Sequence, residues 1–223
     1  MKYVLAVVIF IVALVIINFK FYPFIFRIKN TNYFFCHIPK TGGTSFSLTY
    51  VNNPFNNIPW HIRIGNYPIR IQRQFIAVVR NPYDRLVSCF EYFKKEGIYY
   101  SNLINLYKKT GLSSKKWVYN NKINDFTLFV KKVVNNDLID VCFYPQTNFI
   151  KSTKNKIHCK VIKYENLIND LEKVLNINIY LPKINESRKV KEWKKYYNKE
   201  TAYLVYHFYK SDFINFNYAY FKY

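Results

Sequence analysis

Acidic residues are scarce in this chain: 13 Asp and Glu stand against 34 Lys and Arg, leaving a formal charge of +21 over 223 residues. That balance suits a polyanionic partner such as nucleic acid, a sulfated or uronic glycan, or anionic lipid. Lys, Asn, Ile, Tyr and Phe are all abundant, as A/T-rich coding would produce, and such a bias supplies lysine without selection for binding. No RNA-binding signature, zinc-finger spacing or basic helix with base-reading residues accompanies the charge, so nucleic acid rests on composition alone and is not the expected partner. Cys36, Cys89, Cys142 and Cys159 show no CxxC or Cys/His spacing, and no carboxylate cluster points to a divalent ion; the expectation is no metal. Cys36 and Cys89 lie in apolar stretches and read as small buried hydrophobes. Cys142 and Cys159 flank a polar connection and either pair in an oxidising compartment or stay free with the others. There is no internal repeat and no low-complexity segment, and the length suits one α/β domain.

Long apolar runs are also missing, with one exception. Tyr3 to Phe19 is interrupted only by Asn18, close to the lower limit for a helix that spans a bilayer. Residues 18–22 offer no small-residue processing site, so the expectation is an uncleaved anchor over 1–20, a stem over 21–32 and a single domain over 33–223. Aromatic residues at Tyr3, Phe19, Phe21, Tyr22, Phe24 and Phe26 suit the headgroup region. Lys20, Arg27 and Lys29 outnumber Lys2 plus the α-amino group, which by charge alone would leave the domain cytosolic.

Beyond the stem, strand, turn and helix recur. Tyr33 to Ile38 reads as a buried strand running into a loop from Pro39 to Gly43, with a helix from Thr44 or Ser45. Phe75 to Val79 is a second strand, and Pro82 opens a helix to about Lys95. Helical spacing returns over Phe126 to Val134, Lys160 to Lys163 is a short strand, and helices follow through Leu175 and over Thr201 to Tyr209. This alternation predicts a parallel sheet covered on both faces, with ligands beyond the carboxyl ends of its strands.

Two strand ends carry chemistry. In Cys36-His37-Ile38-Pro39-Lys40-Thr41-Gly42-Gly43-Thr44-Ser45, paired glycines let backbone N–H groups converge on an anion, and the helix N-terminus adds partial positive charge. Lys40 precedes the glycines, so this is not a Walker A loop. In Val79-Arg80-Asn81-Pro82-Tyr83-Asp84-Arg85-Leu86-Val87-Ser88, Arg80 emerges at the strand end and Ser88 lies two turns into the helix, a fork donor and a hydroxyl for one phosphate. Arg85 reads as a surface partner for Asp84 or Glu91.

Together these motifs resemble the sulfotransferases that use 3'-phosphoadenylyl sulfate (PAPS), particularly the membrane-bound carbohydrate sulfotransferases with an I-P-K-T-G-G-T-S type first loop. Weaker similarity continues through Tyr144-Pro145-Gln146, Tyr164-Glu165-Asn166-Leu167 and Asn185-Glu186-Ser187. The resemblance implies a P-loop-like, three-layer α/β domain with a central parallel sheet, joined to an N-terminal transmembrane helix and held in a Golgi- or ER-type lumen. It implies that Lys40, Thr41, Gly42, Gly43, Thr44 and Ser45 hold the 5'-phosphosulfate and that Arg80 and Ser88 hold the 3'-phosphate. It implies a carbohydrate or similar hydroxyl acceptor and no metal. Related enzymes carry a catalytic histidine between the two loops, which makes His61 the candidate base, although Trp60 stands where a lysine is usual and a structural role for His61 stays open. Gln146 is a candidate substrate contact. Arg188 and Lys189 either close over the nucleotide or form a solvated basic stretch. Trp117, Trp193 and the tyrosine-rich tail either stack on sugar rings or fill the core. A kinase or nucleotide hydrolase using the same cradle, and a noncatalytic binder of anionic glycans, are the alternatives.

Overall fold

Five consecutive residues, Phe75 to Val79, are at most 1% exposed, so their strand is buried on both faces. A Val, Ile or Phe side chain contributes about 1.5–3 kcal/mol when fully buried, which makes this strand the principal anchor of the sheet. The computed structural model describes residues 27–51, 61–96, 124–138, 140–181 and 192–222. Strands β1 (Phe34–Cys36), β2 (Phe75–Val79) and β3 (Lys160–Lys163) form a parallel sheet in the order β1-β2-β3, with Phe34 opposite Phe75 and Val79 opposite Lys163. The expected anchor over 1–20 lies outside the described residues, and among those described no helix is long and apolar enough to cross a membrane.

Alternation along the strands sends successive side chains to opposite faces. Phe34, Cys36, Phe75, Ala77 and Val79 share one face with Ile62, Ile64, Phe149 and Phe216. Phe35, Ile76, Val78 and Ile162 share the other with Phe46 of helix α1 (Gly43–Tyr50). A short helix α2 (Ile69–Gln72) leads into β2, and α3 (Pro82–Glu96) leaves it. Helix α4 (Phe126–Val134) starts where the Asp125 carboxylate accepts from the backbone N–H groups of Thr127 and Leu128. After the short α5 (Thr147–Ile150), helix α6 (Leu167–Leu175) supplies Leu171 and Leu175 to the face shared with α1. Helix α7 (Lys199–Phe208) opens on an Asn198–Thr201 capping box, and α8 (Lys210–Asn215) is the last helix among the described residues. A second, helical core joins α3, α4 and α7 through Phe90, Phe129 and Val205.

Two alternatives that the sequence left open are decided by the structure. Cys142 and Cys159 are not bridged and all four thiols are free; Cys142 lies beside Cys89, whose Sγ sits 3.4 Å from the Cys142 carbonyl oxygen. Trp193 does not present an open ring to a sugar, because it stacks 5.3 Å from Tyr83 at an interplanar angle of 5°. Trp117 lies outside the described residues.

One buried acid ties the C-terminal helix to the sheet. Asp212 of α8 is fully buried and accepts from the backbone N–H groups of Gln146 and Thr147 and from the Thr147 hydroxyl, each at 2.8 Å. Asp212→Ala strands these donors and is expected to destabilise the protein by roughly 3–5 kcal/mol. For a domain of this size that lowers Tm by about 6–20 °C, a loss that scanning calorimetry resolves. A shift below about 2 °C would show that the network is dispensable.

Candidate active site

The candidate residues gather where β1 and β2, adjacent and parallel, release their chains in the same direction. Past β1 the backbone turns sharply: Lys40 has φ 65° and Gly42 φ 80°. A left-handed lysine costs about 1–2 kcal/mol, so its surroundings must hold it there. They do so from the second strand end. Arg80 Nη1 donates to the Lys40 carbonyl at 3.1 Å, and Arg85 Nη1 donates to the Pro39 carbonyl at 3.3 Å. The Thr41 hydroxyl donates to the Ile38 carbonyl at 2.9 Å, which commits that side chain to the turn itself.

Gly42 is needed for its left-handed dihedral, and both glycines are needed for space. A Cβ on Gly42 would come within 2.7 Å of the Tyr164 ring, and one on Gly43 would run into the His37 imidazole. Helix α1 then begins with no side-chain cap and no acid in its first turn. Its first amides therefore retain the partial positive charge of a helix N-terminus, flanked by Thr44 and Ser45, both partly exposed. The Lys40 ammonium lies over the ring of Tyr92, 4.1 Å from its centroid. Tyr92 and Arg85 are two turns apart on α3, so one face of that helix meets both the backbone and the lysine of the first loop.

Arg80 is buried among four partners. Its Nε donates to Asp84 Oδ2 at 2.6 Å, its guanidinium stacks 4.3 Å from the Tyr164 ring centroid, and Nη1 reaches Lys40. The two hydrogen bonds use two of five N–H donors. Gln146 clamps the Arg80 backbone, its Oε1 accepting from the Arg80 N–H and its Nε2 donating to the Arg80 carbonyl, both at 2.8 Å. Gln146 is fully buried, with its amide committed to the Arg80 backbone. Ser88 is buried one turn beyond Asp84, so the face expected to grip a phosphate also carries an acid.

Arg85 is the largest correction among the site residues. It is 1% exposed, and besides Pro39 it donates to the carbonyls of Cys142 and Tyr144, so it is no surface ion-pair partner. Its spacing on α3 places it with Cys89 and Tyr92, an inward-facing row that was readable from helical periodicity. The Tyr164-Glu165 segment is also structural: Tyr164 lies under Gly42 and Arg80, and Glu165 accepts from the Asn81 N–H and the Tyr218 hydroxyl.

His61 lies beside the first loop. Its Nδ1 is 3.0 Å from the His37 carbonyl oxygen, and the two imidazole centroids are 4.8 Å apart. A carbonyl only accepts, so Nδ1 carries the proton in the neutral ring and Nε2 keeps its lone pair. Burial lowers the His61 pKa below the usual histidine value; the His37 carbonyl and Asp140 oppose the shift, and Arg85 adds to it. His37 is lowered further, by burial first and then by His61 and Lys40. Both rings are therefore neutral near neutral pH. Such a pair offers a proton acceptor at Nε2 next to a lysine and an uncapped helix start.

Lys40, Thr41, Gly42, Gly43, Thr44, Ser45, His61, Arg80 and Ser88 thus belong to one neighbourhood at the carboxyl edge of the sheet. Trp60, Arg188 and Lys189 lie outside the described residues. Among the described residues no group of three His, Cys, Asp or Glu side chains comes together as a metal site. No curated protein and no solved structure matches the chain. A family model described as the sulfotransferase family does match, over residues 24–219. That span includes both basic strand-end loops and nearly all of the fold, and the chain belongs to the sulfotransferase family.

Proposed function

We propose that this protein transfers a sulfuryl group from PAPS to a hydroxyl of a carbohydrate or similar acceptor, with Lys40 and His61 as the catalytic residues. The observation that carries the reading is the 3.1 Å bond from Arg80 to the Lys40 carbonyl, which brings two basic loops side by side. A donor with anions at both ends requires such a pair of cradles. The bare glycine turn and uncapped start of α1 suit the 5'-phosphosulfate, and the unused N–H groups of Arg80, with Ser88, suit the 3'-phosphate.

The donor supplies the sulfuryl group and departs as 3',5'-ADP. Transfer forms a bond from the acceptor oxygen to sulfur and breaks the bond from sulfur to the bridging oxygen, whose electron pair stays with the phosphate. Lys40 and the first amides of α1 stabilise the charge that grows on that phosphate. His61 Nε2 takes the proton of the acceptor hydroxyl. We further propose that residues 1–20 anchor the enzyme in the membrane and that the catalytic domain faces a Golgi- or ER-type lumen. The apolar run supports the anchor, and the family's acceptors support the lumen against the flanking charge.

Calorimetric titration separates this reading from its rivals. The expected result is saturable binding of 3',5'-ADP in the presence of EDTA, with no comparable binding of ATP. Binding of ATP that depends on magnesium would instead support a kinase or hydrolase, and no nucleotide binding would support an anchored glycan binder.

A further inference from the structure

We infer that the amino edge of the sheet is a docking face for the headgroup layer of a bilayer: Lys29 and Lys160 bond lipid phosphates, Tyr180 sits among the headgroups, and the active site opens away from the membrane. The docking rests on the anchor proposed above and gives the folded domain a lipid contact of its own.

Phe19 closes the apolar run, and Ile28 already belongs to the fold: it is fully buried, its N–H donates to the Tyr33 carbonyl at 2.8 Å, and it bridges Val51 at the end of α1. Arg27 bridges Phe34, the first residue of β1, so the chain enters the domain at the amino edge of the sheet. Only Lys20 to Phe26 lie between the run and that entry. On any path seven residues span at most about 25 Å, which keeps the amino edge close to the bilayer. Lys40 and Arg80 lie past the other ends of β1 and β2, and four steps of about 3.3 Å separate Phe75 from Val79 along β2.

Five residues form a connected belt on that edge. Lys160, the first residue of β3, donates from Nζ to the Tyr33 hydroxyl at 2.6 Å, and the Tyr33 carbonyl holds Ile28. Next to Ile28, the Lys29 N–H donates to the Tyr50 carbonyl at 2.8 Å, and the Tyr50 hydroxyl in turn accepts from the Tyr180 N–H at 2.8 Å. Both lysines are exposed, and Tyr180 is 79% exposed. Lys29 Nζ donates to the Thr49 carbonyl, so each ammonium spends one of three N–H donors on the protein, and among the described residues no carboxylate forms an ion pair with either. Tyrosine and lysine side by side suit the boundary where a ring needs an apolar and a wet side and an ammonium meets phosphate. Charge divides the domain the same way. The segments entering the three strands, residues 27–33, 68–74 and 153–159, carry Arg27, Lys29, Arg70, Arg73, Lys154 and Lys156 and no Asp or Glu. Those leaving, residues 37–43, 80–86 and 164–170, carry three basic and three acidic residues. Coding bias acts along the whole chain and does not sort charge by sheet edge. Phosphodiester headgroups line both sides of a bilayer, so the face serves the domain in either orientation.

The test is hydroxyl-radical footprinting of the full-length protein in vesicles of phosphatidylcholine and phosphatidylglycerol, against the same protein in neutral detergent. Tyr180 reports on the amino edge, and Tyr144, 36% exposed and tied through its carbonyl to Arg85, reports on the carboxyl edge. Vesicles are expected to lower modification of Tyr180 by at least about fivefold and to leave Tyr144 within about twofold. Lys29→Glu combined with Lys160→Glu is expected to restore most of the Tyr180 modification in vesicles, with an unchanged melting temperature as the check on folding, since both side chains are exposed. Equal modification of Tyr180 in vesicles and detergent, equal protection of Tyr144, or full protection in the double variant overturns the docking face while the protein still stays with the vesicles through an alkaline carbonate wash. Release of the protein by that wash overturns the anchor and the docking with it. Protection of Tyr180 by a soluble sulfated glycan in detergent, without protection by vesicles, makes the face a glycan site and overturns lipid docking.

Discussion

Lys40→Ala lowers kcat by about 10³-fold while weakening 3',5'-ADP binding only a few-fold, in steady-state transfer assays paired with calorimetry. The size follows from where charge appears. The departing phosphate gains negative charge only as the sulfur–oxygen bond breaks, so a cation placed there stabilises the transition state more than the bound donor. A thousandfold change is about 4 kcal/mol of barrier, within reach of one fixed charge in a partly closed site. The alanine variant also relieves the loop of a side chain but not of its left-handed backbone, since Arg80 still holds the carbonyl of residue 40. Folding is therefore expected to survive. A kcat within tenfold of wild type would remove Lys40 from the chemistry.

His61→Ala lowers kcat/KM by about 10²–10⁴-fold and abolishes the acidic limb of the pH profile. Only the neutral imidazole accepts a proton. Burial places the His61 pKa below the usual histidine value of 6.5, so wild-type activity rises with pH through that lowered value and is level by neutral pH. Stability has the same sign. The unfolded chain binds protons at His37 and His61 near the ordinary histidine value, and the folded state does not until lower pH. The contribution of both groups is complete above about pH 6.5 and is lost as pH falls through their folded values. Circular dichroism at each pH distinguishes loss of the base from loss of the fold. An acidic limb that persists in His61→Ala while the protein stays folded would transfer the base role elsewhere.

The elements of the sheet were legible because they are local. Phe75 to Val79 is an unbroken apolar run after a polar segment, and the strand has those bounds; Phe126 to Val134 repeats apolar residues at helical spacing, and the helix has those bounds too. Pro82 marked the first turn of α3 for the same kind of reason. The first strand was read longer than Phe34–Cys36, since apolar character continues to Ile38 after the ladder with β2 has ended. Helices α2, α5 and α8 were not foreseen. They are four, four and six residues long, too short for a periodic pattern to accumulate.

The candidate site divides along the same line. Lys40, the two glycines and Arg80 declared themselves by residue type at the ends of strands, because turn chemistry and anion binding draw on neighbours in sequence. The sequence by itself therefore determined the strands, the turns and the sulfotransferase motifs. Only the tertiary structure decided that Arg85 is buried against three carbonyls, that Gln146 clamps Arg80 under the hold of Asp212, and that the His37 carbonyl sets the His61 tautomer. Those bonds join residues 24 to 66 positions apart. Which distant carbonyl or carboxylate a buried polar group meets depends on how whole elements pack, and no local period encodes that.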